Sequence, residues 1–431
     1  MQELRCFGAE HEKFDDVELI AVLRGGGLGD LLFAMPAIES LAAAYPSAEI
    51  TLLGTSLHEA LLANRPGPVD DVAVLPHIAG LNEPAGAASD HADAGEFVEQ
   101  LRRRRFDLAV QVHGGGRNSN PFIRRLGARH TVGTTTPDAV PLERNLPYAY
   151  YQHEVLRALE VVGLAGAGPV TLEPRITPTQ ADRSEAAGLV MPGTRGLIAL
   201  HTGATDPRRQ WPPGHFAILA AKLAAEGFQV ILVGTGEDRA VADSIVERAL
   251  QILAPGSGPG GSGPGRSAPR DSAPGPESSR DQLISSAAGQ LSLGGLTGLL
   301  SCSSAMAGND SGPRHLAQAV GTPTVGIYWI GNAFNAGPLS RTLNRIQISW
   351  LTKCPVCGAD VTQVGWTSAR CEHNESIVAE IEPESVFADL LAVMATNPAA
   401  VATNQAGVAT NQAGVATNPA VMATNPLPRG K

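Results

Sequence analysis

The stretch AGNDSGPRHLAQAVGTPTV, residues Ala307–Val325, decides the fold of this chain. It predicts a strand end, a turn with an amide and a carboxylate, a short helix, a break and another apolar strand. Ser311 or Gly312 suits the N-cap, and Pro313 suits the first helical turn because its missing N–H costs nothing there. Gly321, followed by Thr-Pro, ends the helix. This strand–helix–strand order is typical of a parallel α/β sheet.

The start of this helix is a candidate anion site. Its free backbone N–H groups and partial positive charge suit a phosphate. The alternative is an ordinary capped helix in an α/β sheet. Asp310 and His315 lie on the opening turn and favour a binding site, which would also include Ser311 and Gly312.

The composition indicates a chain of several domains. Its 431 residues suffice for about two or three domains, and a hydrophobic content of 43% supports sizeable cores. The net charge of −10 argues against nucleic acid as the main partner. No apolar run approaches the roughly 20 residues of a membrane span, the N-terminus lacks a signal pattern, and the 5 cysteines do not form a disulfide framework. We therefore expect a cytoplasmic, soluble protein.

Strand and helix patterns alternate in two successive runs, one from Leu19 and one from Leu197. Two such runs predict an α/β protein with two Rossmann-like parallel-sheet domains that face each other across a cleft. We expect an N-terminal, acceptor-side domain over residues 1–170 and a donor-binding domain over 171–345. Residues 346–394 would hold a Cys-rich segment and a helix returning toward the first domain.

Two segments have low-complexity composition. Residues 254–279 are dominated by Gly, Pro and Ser and are predicted to be a disordered insertion in the second domain. Over residues 395–431 the triplet Ala-Thr-Asn recurs with a seven-residue period, interrupted by prolines. We interpret it as a low-complexity tail without chemistry.

A glycine-rich turn, RGGGLGD over Arg24–Asp30, follows the first strand. Glycines let the backbone approach a ligand at the carboxyl end of a strand. The dinucleotide fingerprint G-x-G-x-x-G fails because its third glycine position is Asp30, and the second strand lacks the terminal acid that holds a ribose. Gly29 and Asp30 would stand at a helix start facing the cleft. The alternative role of Asp30 is a simple helix cap.

The second domain opens with HTGATDPRRQWP, residues His201–Pro212, in the position equivalent to the glycine turn. Thr202, Arg208 and Arg209 form a candidate diphosphate cradle. The alternative is a solvated loop. Gly234 and Glu237, after the next strand, are weaker candidates for the edge of a nucleotide site.

Together these motifs resemble glycosyltransferase family 9, the ADP-heptose:lipopolysaccharide heptosyltransferase type, which has the GT-B fold. The resemblance covers roughly residues 17–394. It rests on four blocks in family order: Arg24–Pro36 with Leu-Gly-Asp, Arg209–Pro212, Gly234–Glu237 and Asn309–Ala317.

The resemblance implies roles for the matching residues. Asp30 would be the base that takes the proton from the acceptor hydroxyl as it attacks the anomeric carbon. Arg209 stands where members often have a lysine that contacts the donor phosphate. The turn with Asp310, Ser311, Gly312 and His315 would bind the donor and stabilise the departing nucleoside diphosphate.

The family resemblance also implies inversion, a nucleotide-sugar donor, a glycan or glycolipid acceptor of the cell envelope, and no metal cofactor for catalysis. Two other functions stay open. A nucleotide-dependent oxidoreductase has paired α/β domains too, but the failed fingerprint counts against it. A non-catalytic sugar-nucleotide-binding relative is suggested by the insertion and the tail.

A late cluster follows the order Cys-x₂-Cys-x₁₃-Cys-x-His, with Cys354, Cys357, Cys371 and His373. This order fits a tetrahedral structural zinc site. The alternative is three free cysteines in a reduced cytoplasm.

A basic set in the first domain contrasts with the acidic chain: Arg102–Arg105, Arg124, Arg125 and Arg129. It could attract an anionic acceptor or the inner face of the cytoplasmic membrane. The alternative is the solvated face of a helix.

Overall fold

Two parallel sheets, one from each half of the chain, organise the molecule. The computed structural model describes residues 11–82, 91–254, 281–362 and 369–396. The predicted insertion at 254–279 and the tail at 395–431 fall almost entirely outside these residues.

The strands of the first sheet are β1 (Leu19–Leu23), β2 (Glu49–Gly54), β3 (Asp71–Val74), β4 (Leu108–Gln111), β5 (His130–Thr135) and β6 (Arg144–Pro147). Those of the second are β7 (Leu197–His201), β8 (Gln229–Val233), β9 (Ile284–Ser286), β10 (Ala305–Asn309), β11 (Thr324–Trp329) and β12 (Asn344–Ser349). The helices are α1 (Leu28–Ala44), α2 (Ser56–Leu62), α3 (His91–Arg103), α4 (Ser119–Arg125), α5 (Glu154–Gly163), α6 (Gln180–Ala186), α7 (Pro213–Ala225), α8 (Arg239–Leu253), α9 (Leu293–Cys302), α10 (Gly312–Ala319), α11 (Ile330–Ala336) and α12 (Pro383–Thr396).

Both sheets have the doubly wound topology. The strand orders are β3-β2-β1-β4-β5-β6 and β12-β11-β10-β7-β8-β9, and every paired strand in them runs parallel. Read from opposite edges, the two orders are the same. The strand order therefore reverses between β1 and β4 in one sheet and between β7 and β10 in the other, and such switch points are where open α/β sheets bind ligands.

The central strands are buried throughout because helices cover both faces of each sheet. Four of the five residues of β1 and all five of β7, β8 and β10 are buried, as their Val, Ile, Leu and Ala content requires. The two predicted Rossmann-like domains are confirmed. Each sheet lies on its expected side of residue 170, although β12 extends to Ser349, beyond the expected limit at 345.

The two domains are packed together along one side of the cleft. Helix α1 lies against α10, and one continuous apolar core includes Leu31 and Leu32 of α1 with Leu316 of α10. An ion pair between Arg65 and Asp182, with both side chains at most 8% exposed, joins the domains at a second place. The cleft therefore has a closed floor.

Helix α12 does not return toward the first domain as expected. It packs against α7 and against β10, β11 and β12, and its Val386, Leu390 and Val393 belong to the core of the second domain. The reason is the apolar surface that α7 presents on that side, which includes Phe216.

Candidate active site

The candidate site lies where the switch points of the two sheets face each other. Arg24 lies in the turn after β1, Asp30 lies in the first turn of α1, and His113 follows β4. In the second domain His201 ends β7, and Asp310 directly follows β10. Topology thus brings together residues from four separate parts of the chain.

On the first-domain side, Arg24 fixes the orientation of Asp30. Its Nη2 donates to Asp30 Oδ1 at 2.7 Å and to Glu154 Oε2 at 3.2 Å. Burial alone would lower the pKa of Arg24, but the carboxylates of Asp30 and Glu154 outweigh it and the pKa lies above its ordinary value. The guanidinium is therefore a permanent cation beneath the cleft.

The Asp30 carboxylate is the accessible part of this network. Its side chain is 46% exposed, and its Oδ2 accepts the backbone N–H of Gly27 at 2.8 Å. Gly26 has a φ of +91°, and a Cβ there would lie 2.5 Å from Asp30 Oδ2. Asp30 therefore caps the helix, as the alternative interpretation held, and its carboxylate is still exposed to the cleft.

His113 lies behind this turn as a neutral ring. The N–H of Gly25 points to its Nδ1 at 3.2 Å, which makes that nitrogen an acceptor. Burial, reinforced by the charge of Arg24, lowers the pKa of His113 to about 4.

On the second-domain side, three buried groups form a chain that ends at Asp310. Arg314 donates to Nδ1 of His315, whose Nε2 lies 2.9 Å from Asp310 Oδ1. Because guanidinium only donates, Nδ1 must accept, and the His315 proton must sit on Nε2. Burial and then Arg314 lower the pKa of His315 to about 4, so the ring is neutral at pH 7.

Asp310 stays ionised in this environment. Burial would raise its pKa, but the hydrogen bond from His315 and the nearby charge of Arg314 lower it to about 2. Asn332 of α11 also donates to Asp310 Oδ2. Asp310 and His315, both at the start of α10, are therefore a hydrogen-bonded pair.

The loop after β7 is held against the start of α10. Asn309 donates from Nδ2 to the carbonyl of Thr202 at 2.7 Å and accepts the N–H of Trp211 at 2.9 Å. Ser311 Oγ is hydrogen-bonded to His201 Nδ1 at 2.9 Å. Ser311 is the N-cap of α10, so its hydroxyl and Gly312 stand at the helix start.

The two predicted arginines point in different directions. Arg209 is 26% exposed, and its Nη1 lies 3.5 Å from Asp310 Oδ2, at the cleft. Arg208 is 7% exposed and pairs with Asp206 at 2.6 Å. A phosphate would have to displace Asp206 to reach Arg208, so only Arg209 is placed as a cradle residue.

The remaining predicted positions, Gly234 and Glu237, lie on the neighbouring loop after β8. Asp238 folds back over Gly234 and accepts the N–H of Thr235 at 2.7 Å. A Cβ on Gly203, the residue after Thr202, would lie 2.9 Å from Asp238 Oδ1. The loop after β8 therefore adjoins the loop after β7. Glu237 is exposed at its edge.

The two walls meet at the starts of α1 and α10. A Cβ on Gly29 would lie 3.2 Å from the His315 ring, and the ring of Phe33 meets His315 edge-on at 4.6 Å. A Cβ on Gly312 would lie 2.9 Å from Cβ of Leu28. Two helix N-termini therefore converge at the same end of the cleft, and each adds a partial positive charge there.

Several residues of this site escaped the sequence analysis. His113, Glu154 and Asn332 carry no local motif, and only tertiary packing brings them near the cleft, whereas His201 opens the motif of the second domain without having been singled out. Arg314 could have been noticed, since it stands beside His315 in a helix that otherwise has no Arg, Lys, Asp or Glu.

The late cysteine cluster assembles as predicted. The ligand atoms of Cys354, Cys357, Cys371 and His373 all lie within 4.8 Å of one another. Ligands about 2.3 Å from a tetrahedral zinc ion would be about 3.8 Å apart, so small adjustments suffice for one ion. Nδ1 of His373 is buried without a hydrogen-bond partner, as a ligand nitrogen would be.

The basic set of the first domain is partly neutralised. Arg104 pairs with Asp71 at 2.7 Å and with Glu49 at 3.0 Å, and Arg129 pairs with Asp107 at 3.1 Å. These contacts favour a solvated structural face over a site for an anionic acceptor. Among the described residues, no helix is long and apolar enough to cross a membrane.

Two doubly wound domains with a site between their switch points define a GT-B glycosyltransferase. The model of glycosyltransferase family 9 (heptosyltransferase) matches residues 95–255 and 277–356, more than half of the chain. The chain belongs to this family and is a glycosyltransferase, as its motifs predicted.

Relatives with known functions span nearly the same length. Lipopolysaccharide heptosyltransferase 2 of Salmonella typhimurium is 23% identical over 393 residues, which cover 87% of this chain and 98% of that protein. The alignment with the structure of E. coli ADP-heptose lps heptosyltransferase II has a TM-score of 0.64 at 19% sequence identity. It covers 88% of this chain and 99% of the E. coli chain. The family 9 glycosyltransferase of Veillonella parvula has a TM-score of 0.66 at 16% identity, covering 89% and 98%. These structures confirm the GT-B fold.

Proposed function

We propose that this glycosyltransferase moves a heptose, or a closely related sugar, from an ADP-linked donor to a lipopolysaccharide-type acceptor, with inversion at the anomeric carbon. The observation that carries the proposal is the meeting of the α1 and α10 starts, with Asp30 exposed on one side and Arg209 on the other. The names of the relatives suggest the donor and the acceptor.

Asp30 is the proposed general base. Arg24 and the Gly27 N–H occupy two of about four acceptor positions of the carboxylate, so an acceptor hydroxyl can still donate to it. As the acceptor oxygen attacks the anomeric carbon, its proton passes to Asp30 and the bond to the donor phosphate breaks. Because base and leaving group approach from opposite domains, attack is from the face opposite the diphosphate.

The departing diphosphate is assigned to the start of α10. The helix N-terminus, the Ser311 hydroxyl and the Arg209 guanidinium would stabilise the developing negative charge. This arrangement would take the place of a divalent cation. Asp310 would act indirectly, since its carboxylate lies 3.5 Å from Arg209 and orients it.

The test is the Asp30→Asn variant, which keeps the shape of the side chain but not its basicity. We expect ADP binding to be unchanged and transfer from ADP-heptose to fall by about 10²–10⁴. Asp70→Asn is a matched control, because Asp70 only accepts the N–H of Ile50 at 2.8 Å, away from the cleft. Near-normal transfer by Asp30→Asn would refute the base assignment.

We also propose that an aromatic surface beside the cleft brings the enzyme to the inner face of the cytoplasmic membrane, where a glycolipid acceptor would be presented. Tyr151, Phe334 and Trp350 are 44%, 61% and 69% exposed, and the first two line a pocket of about 530 Å³. Aromatic rings favour the lipid interface.

Replacing Phe334 and Trp350 by Ser should reduce co-sedimentation with anionic phospholipid vesicles severalfold, while the transfer rate to a soluble acceptor fragment stays unchanged.

A further inference from the structure

The segment with the cysteine cluster is attached to the loop that carries Arg209. Ser376 donates from Oγ to the carbonyl of Gln210 at 2.7 Å, and the N–H of Ile377 donates to the carbonyl of Arg208 at 2.8 Å. Trp211 donates from its ring to the carbonyl of Ile381 at 2.8 Å. Arg208, Gln210 and Trp211 of the loop are thus held by backbone and side-chain groups that follow the cluster in the chain.

Arg208 provides a second connection, from the side of the loop. Its Nε and Nη2 donate to the Asp206 carboxylate, and its Nη1 is buried without a hydrogen-bond partner. Arg370, the neighbour of Cys371, approaches Asp206 to 3.6 Å. Asp206 thus connects Arg208, predicted to bind a phosphate, to Arg370 beside the cluster.

A bound ion would tie this segment together and set its charge. A zinc ion with three thiolates and a neutral imidazole carries one net negative charge, and the cationic Arg370 is the neighbour of Cys371 in the chain. Cys354 is buried in the core of the second domain, whereas Cys357 is exposed, so an ion would join Cys357 and the part with Cys371 to this anchored residue.

We propose that a zinc ion held by Cys354, Cys357, Cys371 and His373 positions the Asp206–Trp211 loop, and so sets the affinity of the site for the donor diphosphate through Arg209. The ion has no part in the transfer step. This inference rests on the proposed function only for the expected change in ADP binding. The effect of zinc on the loop is independent of the ligand.

The test compares the purified full-length chain with two variants. Cys357→Ser removes an exposed ligand, and Cys302→Ser is the control because Cys302 lies on α9, outside the cluster. We expect about one zinc per chain by elemental analysis in the parent and in the control, and a loss of about tenfold or more in Cys357→Ser. Amide hydrogen exchange over residues 206–211 should be about tenfold faster in that variant, and its Kd for ADP about tenfold higher.

Because loss of zinc could unfold the whole segment, Arg208→Gln is the second variant. It should retain zinc and yet show faster exchange over 206–211 and a higher Kd for ADP. A folded parent chain without bound metal would overturn the site, and unchanged exchange in Cys357→Ser would overturn the coupling. If zinc protects the loop and the parent still fails to bind ADP, the proposed donor is wrong while the coupling stands.

Discussion

Arg314 is the residue on which the donor side of the site depends most. It is fully buried, and its charge adds to the effect of burial in keeping His315 neutral and helps to keep Asp310 ionised. In Arg314→Met the carboxylate of Asp310 would lose a buried cation nearby. We expect the free energy of unfolding, measured with urea, to fall by about 3–5 kcal/mol.

The comparison for this prediction is an exposed ion pair. Arg195 pairs with Glu226 at 2.8 Å, and both side chains are about half exposed. Arg195→Met should therefore change stability by about 1 kcal/mol or less. Equal effects of the two variants would mean that burial of Arg314 does not set its contribution.

Among the elements, the contact between α1 and α10 has the least room for change. A Cβ on Gly312 would lie 2.9 Å from Cβ of Leu28, closer than real Cβ contacts are found, and neither atom ends a flexible side chain. Gly312→Ala should therefore push α10 from α1, lower stability by about 1–3 kcal/mol and reduce transfer by about tenfold.

Gly188→Ala tests whether this effect is specific to the contact, since a Cβ at Gly188 would meet nothing within 4 Å. That variant should retain both stability and transfer. If Gly312→Ala transfers sugar at the parent rate, the two helix starts do not need their observed spacing.

The elements also show what the sequence could and could not reveal. The limits of β1, β7 and β8 follow directly from their apolar runs, and the start of α10 follows from Ser311-Gly312-Pro313. The edge strands β6 and β9 were not predicted, because Arg-Asn-Leu-Pro and Ile-Ser-Ser have no alternation of polar and apolar residues. They form only because a neighbouring strand supplies hydrogen-bond partners.

The same distinction applies to the site. Asp30, Asp310 and His315 stand in motifs that the sequence displays, whereas Glu154 reaches Arg24 from 130 positions away in the chain. Arg208 and Arg209 are adjacent and look equivalent, yet the 3-10 turn at Pro207–Arg209 sends one guanidinium to Asp206 and the other to the cleft. Such a separation depends on tertiary packing that no local pattern records.

For the whole molecule, the buried histidines predict instability in mild acid. His113, His201 and His315 all have a pKa lowered to about 4 from an ordinary value of 6.5, with burial as the main cause. In the unfolded chain these rings take up protons below about pH 6.5, while in the folded chain they do so only near pH 4. The unfolded state therefore binds more protons in this window, and stability falls as the pH falls through it.

Each histidine should contribute a slope of about 1.4 kcal/mol per pH unit. Asp310 adds a separate loss of stability at lower pH. Its folded pKa of about 2 lies below the ordinary 3.8, so the stability that it contributes is present above pH 3.8 and disappears toward about pH 2.

Urea unfolding at about pH 7.5, 6.5 and 5.5 measures the contribution of the histidines. The slope below pH 6.5 should decrease when His113 and His201 are both replaced by Gln, because two of the groups that take up protons on unfolding are then gone. A stability that stays constant from about pH 6.5 to 5.5 in the parent chain would show that these rings are already protonated, or accessible to water, in the folded state.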